Sequence, residues 1–135
     1  RMSGYPAKPR SFDWVGNGPH LATSGADKAV CWPFHFKDGP MGQGALCVAD
    51  GGKQLATIVR GLPGQPTVLA GFQDGAVLMS DLDEWAETRV VRGSTGVEVT
   101  AIAVTSSLSH ILIGDAEGQV LWSKLLMGGG NARFI

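Results

Sequence analysis

The chain is poor in the residues that usually announce a chemistry. It has two cysteines, three histidines and one tyrosine in 135 residues, and 17% of its residues are charged. Two thiols are too few for a disulfide framework. Their apolar settings, Val30-Cys31-Trp32 and Leu46-Cys47-Val48, predict free, buried thiols in a reducing compartment. A formal net charge of −1 leaves no global field to recruit nucleic acid or an anionic membrane. No apolar stretch reaches the roughly 18 residues that suggest a membrane-spanning helix. The opening Arg1-Met2-Ser3-Gly4-Tyr5-Pro6 lacks the apolar run of a secretory signal. These features predict a cytoplasmic protein that engages neither membrane nor nucleic acid. Gly-x-Ser-x-Gly, a phosphate loop with Gly-Lys-Ser/Thr and His-Glu-x-x-His are all missing. Gly128-Gly129-Gly130 lacks the lysine and following helix of a phosphate loop, and reads as a flexible linker.

Glycine, by contrast, is abundant. Twenty Gly and seven Pro punctuate a sequence that is 44% hydrophobic, a pattern suited to many short strands joined by turns. Within it one phrase of fourteen residues occurs three times without gaps: Leu21 to Phe34, Val68 to Asp81 and Ile111 to Lys124. Each copy reads as strand, tight turn, strand. The turn acids are Asp27, Asp74 and Glu117. Gly75 and Gly118 follow two of them and can take a positive φ at no steric cost, whereas Lys28 holds that place in the first copy. Val30, Val77 and Val120 occupy one common step. The run Ile111-Leu112-Ile113 predicts a strand covered on both faces.

A preceding strand is legible for each copy, at Ser11 to Val15, Gln54 to Val59 and Thr100 to Val104. A following strand is read at Ala45 to Val48 and Thr88 to Arg92, with a short tail, Ala132 to Ile135, in the third unit. The fold class expected is all-β: a partial β-propeller of three four-stranded antiparallel blades, roughly residues 10–50, 53–93 and 97–135, after a connector at 1–9.

The chain resembles the WD-repeat β-propeller family over nearly its whole length. Asp27 and Asp74 match the family's turn aspartate, with Glu117 a conservative departure, and the three valines match its β-branched position. Trp32 and Trp122 fall one place before the family's usual tryptophan, at Pro33, Ser80 and Ser123, and the Gly-His pair that often opens a family repeat is absent. The repeats are therefore divergent, and the hydrogen-bonded His–Ser/Thr–Asp–Trp network cannot form intact. The resemblance implies a rigid scaffold for protein–protein interaction, with no cofactor and no catalytic activity of its own, whose turn acids serve structure.

Three blades leave two apolar outer faces uncovered, because a repeat buries its faces only against neighbours. Trp14, Trp32 and Phe12 are expected near one such face, and Ile102, Leu112 and Trp122 near the other. Two coverings are open: the missing blades of a longer propeller of about seven blades, or a second copy of the chain closing a ring. The start at Arg1 rather than Met, and the connector-like residues 1–10, favour the first.

Three candidate sites stand out. Phe72, beside the turn at Asp74, and Trp85, among Asp83, Glu84 and Glu87, are candidate contacts for an unnamed protein partner, since tryptophan is enriched at interface hot spots. The plain alternatives are that Phe72 caps the neighbouring blade and that Trp85 folds over the blade edge. Cys31, His35 and Cys47 supply three soft or borderline ligands for a metal-linked or enzymatic alternative, at a spacing that is not a standard finger and without a fourth ligand. Asp13, His20 and Ser24 form a catalytic triad only on paper.

Overall fold

The computed structural model describes residues 2–16, 19–83, 85–128 and 131–134, which contain strands, turns and bends and no α-helix. Twelve strands run in chain order: β1 (Phe12–Val15), β2 (His20–Thr23), β3 (Ala29–Pro33), β4 (Leu46–Val48), β5 (Ala56–Gly61), β6 (Thr67–Phe72), β7 (Val77–Asp81), β8 (Arg89–Arg92), β9 (Val99–Val104), β10 (His110–Asp115), β11 (Val120–Gly128) and β12 (Asn131–Phe134). They form three antiparallel sheets, each a meander of four consecutive strands. The strands fall where the repeat predicts them, within two residues at most starts.

The sheets pack in chain order, the second between the first and the third. Val15, Ala22, Ala29, Cys31 and Val48 of the first sheet meet Ala56, Val59, Val68, Ala70, Phe72 and Leu78 of the second. The opposite face of the second sheet, with Ile58, Leu69, Val77 and Met79, meets Val99, Ile102, Ile111, Ile113 and Leu125 of the third. Consequently β6 is buried at every residue, a strand covered on both faces. The equivalent β10 alternates, with Ile111 and Ile113 buried and Leu112 exposed. The two-sided cover predicted for Ile111 to Ile113 is thus realised one repeat earlier. Ile102, expected near an outer face, lies in the core between the second and third sheets.

Side-chain to main-chain hydrogen bonds stitch the innermost strands together in a repeated pattern. The Ser11 hydroxyl accepts from Val59 N at 3.1 Å, and an Asp13 carboxylate oxygen accepts from Gly61 N at 2.8 Å, joining β1 to β5. One sheet further on, the Thr57 hydroxyl donates to Val99 O at 2.5 Å and Arg60 Nε donates to Ile102 O at 3.0 Å, joining β5 to β9. Thr57 occupies a bulge in β5, and Thr100 occupies the matching bulge in β9. Thr100 is exposed.

The first hairpin departs from the other two. In β6–β7 and β10–β11 the same steps pair, Leu69 with Met79 and Leu112 with Trp122. In β2–β3 the pairing slips by one residue, so that Ala22 faces Cys31 and Leu21 faces Trp32. The turn explains the slip. Gly75 (φ +92°) and Gly118 (φ +81°) place a left-handed residue just before β7 and β11, but Lys28 has no positive φ, and Gly25 (φ +103°) takes that role three residues earlier. A lysine forced into the left-handed region would cost about 1–2 kcal/mol, and the shorter turn avoids it. Because a one-residue slip exchanges the faces of a strand, Ala29, Cys31 and Pro33 are buried in β3 while Val30 and Trp32 turn to the outer face.

Candidate interaction surface

Two outer faces remain, one on each flanking sheet, and they differ. On the first sheet the cross-strand pairs Phe12–Thr23, Trp14–Leu21, Leu21–Trp32 and Thr23–Val30 place six side chains on one face. Residues 2–9 run across this face as a strap. Thr23 donates its hydroxyl proton to Val30 O at 2.8 Å, so the Tyr5 hydroxyl donates to Thr23 Oγ1 at 2.6 Å; Trp32 Nε1 in turn donates to Tyr5 Oη at 2.8 Å. Ala7 N adds a bond to Gly25 O at 3.1 Å. The strap does not seal the face. A cavity of about 540 Å³ lies between it and Phe12, Leu21 and Thr23, and Phe12 and Trp14 remain exposed, the latter edge-on to Phe34 with ring centroids 5.3 Å apart.

On the third sheet nothing described covers the corresponding surface. Leu112 pairs with Trp122 and Ala103, and Gly114 pairs with Val120 and Ala101, which makes one contiguous apolar patch. Val120 is 66% exposed and Trp122 65%. Position for position, Leu112, Val120 and Trp122 are the equivalents of Leu69, Val77 and Met79, the face of the second sheet that packs on the third. Scattered apolar exposure is ordinary, whereas a contiguous patch makes this face a candidate interaction surface.

The candidate partner contacts separate. Phe72 is fully buried in the core between the first and second sheets. Its ring lies so close to Gly51 that a Cβ there would meet it at 2.3 Å. The turn at Asp74 points this aromatic into the inter-sheet core, so Phe72 is a packing residue and the expectation of a partner contact is corrected. Trp85 is 85% exposed, in a turn where its main-chain N–H donates to an Asp83 carboxylate oxygen at 3.0 Å.

The turn acids also divide. Asp74 accepts from Ala76 N at 3.1 Å and from the Ser94 hydroxyl, while its main-chain oxygen accepts from Thr95 N and Gly96 N. Asp27 makes the parallel main-chain bond, accepting from Gly51 N at 2.7 Å. Each ties down the loop that leaves its sheet. In the third turn the acceptor is Asp115, which takes the N–H of Glu117 at 2.9 Å and of Gln119 at 3.0 Å. Glu117, the expected turn acid, is exposed, and Asp115, two residues upstream, takes the Gln119 amide that is the equivalent of Ala76 N. An Asp followed two and four residues later by free amides is an Asx-turn pattern, a signal the repeat alignment overlooked by matching position rather than reach.

The proposed metal ligands are dispersed. Cys31 pairs with Leu46, and Cys47 pairs with Val30, so the two thiols lie on opposite faces of the sheet. Burial pushes the Cys31 thiol up to about 12, with the neighbouring Cys47 adding to the shift. Such a thiol stays protonated, whereas zinc takes the thiolate. His35 stands in the exposed loop beyond β3, its ring tilted against those of His20 and Phe36. Among the described residues no three His, Cys, Asp or Glu side chains gather as a metal site. The paper triad is dispersed as well. Asp13 holds Gly61 N, Ser24 Oγ accepts from Arg10 N and Ser11 N, and His20 meets His35. Among the described residues no helix is long and apolar enough to cross a membrane. Compared with known proteins, the chain matches no family model and no curated protein.

Proposed function

We propose that the chain is a three-blade arc of a divergent WD-type β-propeller, and that it works as a protein-interaction scaffold rather than an enzyme. The observation that carries this reading is the convergence of the inner strands. Arg10, just before β1, and Glu98, just before β9, form an ion pair at 2.7 Å although the second sheet stands between theirs. The leading ends of the first and third inner strands therefore meet, which is the curvature expected of sheets fanned about a common axis. The repeated stitches from β1 to β5 and from β5 to β9 support the same geometry.

In such a body the sheets are rigid and the connections present the contacts. Trp85 is the anchor we favour, being large, apolar and almost wholly exposed. The open faces of the arc are covered by further sheets of the same kind. A reducing compartment, the cytoplasm in our reading, accords with the free thiols of Cys31 and Cys47. The test is affinity capture from native lysate with the full chain and a Trp85→Ala variant. Partners held by the parent chain and lost from the variant, with both equally folded by circular dichroism, support the scaffold reading. An identical set of partners from both chains refutes Trp85 as its anchor.

A further inference from the structure

Each sheet has an upstream face and a downstream face, and outside the slipped β3, where Val30 and Trp32 have turned to the upstream side, the same steps of the repeat build them. Upstream, Phe12, Leu21 and Thr23 of the first sheet correspond to Val59, Val68 and Ala70 of the second and to Ile102, Ile111 and Ile113 of the third. The second and third of these sets are buried against the preceding sheet. Downstream, Leu69, Val77 and Met79 are buried against the following sheet, and their equivalents Leu112, Val120 and Trp122 are exposed. Among the described residues, the downstream face of the third sheet has no cover and the upstream face of the first sheet is covered by the strap.

We propose that the downstream face of the third sheet is a docking face for the upstream face of the first sheet of a second copy, and that the strap competes for it. This rests on the blade reading above and names the partner of its open faces. The occupant follows from continuity with the two interfaces already inside the molecule. A third interface of the same kind needs an upstream face with an apolar inner and middle strand, and Phe12, Trp14 and Leu21 supply one. Exposed Thr100, at the bulge where Thr57 donates to Val99 O, is placed to donate to a main-chain carbonyl of the incoming inner strand. A head-to-tail contact closes into a ring if its rotation allows. Two copies give six sheets, within the range of four to eight that closed propellers adopt.

The strap sets the affinity. Residues 2–9 lie over Leu21, Thr23 and Trp32, where the incoming sheet would sit, held by the two Tyr5 hydroxyl bonds, the Ala7–Gly25 bond and a face with a cavity beneath it. Displacing it breaks three hydrogen bonds and buries a larger apolar surface in exchange. Tyr5 is the clasp.

Sedimentation velocity over a wide concentration range, on the full 135-residue chain, tests this. Tyr5→Ala should associate at a concentration roughly a hundredfold lower than the parent chain, because a closed pair displaces two straps and each loses about 1.4 kcal/mol of bonding, a factor of ten apiece. The associated species should stop at twice the monomer mass. Leu112→Asp and, independently, Trp122→Ser should lower association in the parent and in the Tyr5→Ala background; both positions are exposed, so circular dichroism should report an unchanged fold. Monomers at every concentration for both parent and Tyr5→Ala overturn the proposal. So does association that Leu112→Asp leaves intact, or that grows beyond two copies. If the chain stays monomeric but still holds partners through Trp85, the docking proposal falls and the scaffold reading stands.

Discussion

The middle sheet and the third sheet are built from the same phrase, yet β6 is buried at all six residues and β10 at only Ile111 and Ile113. Leu69 and Leu112 occupy one step of the repeat, as do Val77 and Val120, so composition does not separate them. Position in the stack does. The middle sheet has a neighbour on each side, so the apolar steps of both its faces are covered; among the described residues the third has one neighbour, and every second step of β10 faces outward. In a stacked-repeat architecture, stability is a property of interfaces between units as much as of the units.

The sharpest way to break that comparison uses two aromatics. Phe72→Ala empties a buried site between two sheets and should destabilise the fold by about 3–5 kcal/mol, read as a fall in the urea midpoint. Trp85→Ala, at an exposed turn, should stay within about 0.5 kcal/mol of the parent. Comparable losses from the two would show that burial between sheets does not govern stability.

The turns sharpen it next. A Cβ on Gly75 would meet Thr95 Oγ1 at 2.0 Å and Val97 O at 2.7 Å, whereas one on Gly118 meets nothing within 4 Å. Both residues are left-handed, so Gly118→Ala should cost about 1–2 kcal/mol from backbone strain alone. Gly75→Ala should cost more, because the loop leading to the third sheet must also shift. Equal costs by thermal denaturation would mean that this loop yields freely.

Alkaline pH addresses the core between the first two sheets. The folded protein holds the Cys31 proton up to about pH 12, whereas an unfolded thiol loses it near pH 8.5. Above the unfolded value the native state binds the extra proton, so stability falls as pH rises through this window, by up to about 1.4 kcal/mol per unit. Cys31→Ala should flatten that slope in urea titrations at successive pH values, and Cys47→Ala should narrow its pH window only slightly, since burial is the larger cause of the shift. A slope unchanged by Cys31→Ala would place its origin elsewhere.

The smallest contrast lies in the third turn. Asp115→Ala removes the acceptor of two amides and should cost about 1 kcal/mol, while Glu117→Ala should be close to neutral. The reverse order in denaturant midpoints would restore Glu117 as the turn acid.

The architecture of strands was legible because the repeat carries its own evidence three times. Alternating apolar residues around Val77 and Val120 could be read without knowing what they packed on. What escaped was whatever depends on neighbours. The slip in β2–β3 arises from Lys28 at a step that needs a left-handed residue; the sequence marked the exception, but its consequence for Trp32 and Cys31 emerges only once a strand has to choose a partner register. Phe72 looked like a surface aromatic because it adjoins a turn, and it is buried where Gly51, in the loop that leaves the first sheet, leaves room for its ring. No motif or spacing in the sequence marks Tyr5. Its importance comes from Thr23 and Trp32, which a gapless alignment of turns does not bring near residues 2–9.

The stacking itself is best tested by a matched pair at one step of the repeat, Leu69→Ala and Leu112→Ala, measured together by urea denaturation of the full chain under conditions where it is monomeric. Leu69→Ala should lose about 2–5 kcal/mol, as buried leucines do, and Leu112→Ala less than about 1 kcal/mol, since no described residue covers its face. Equal losses at the two positions would contradict a stack whose middle sheet is stabilised from both sides.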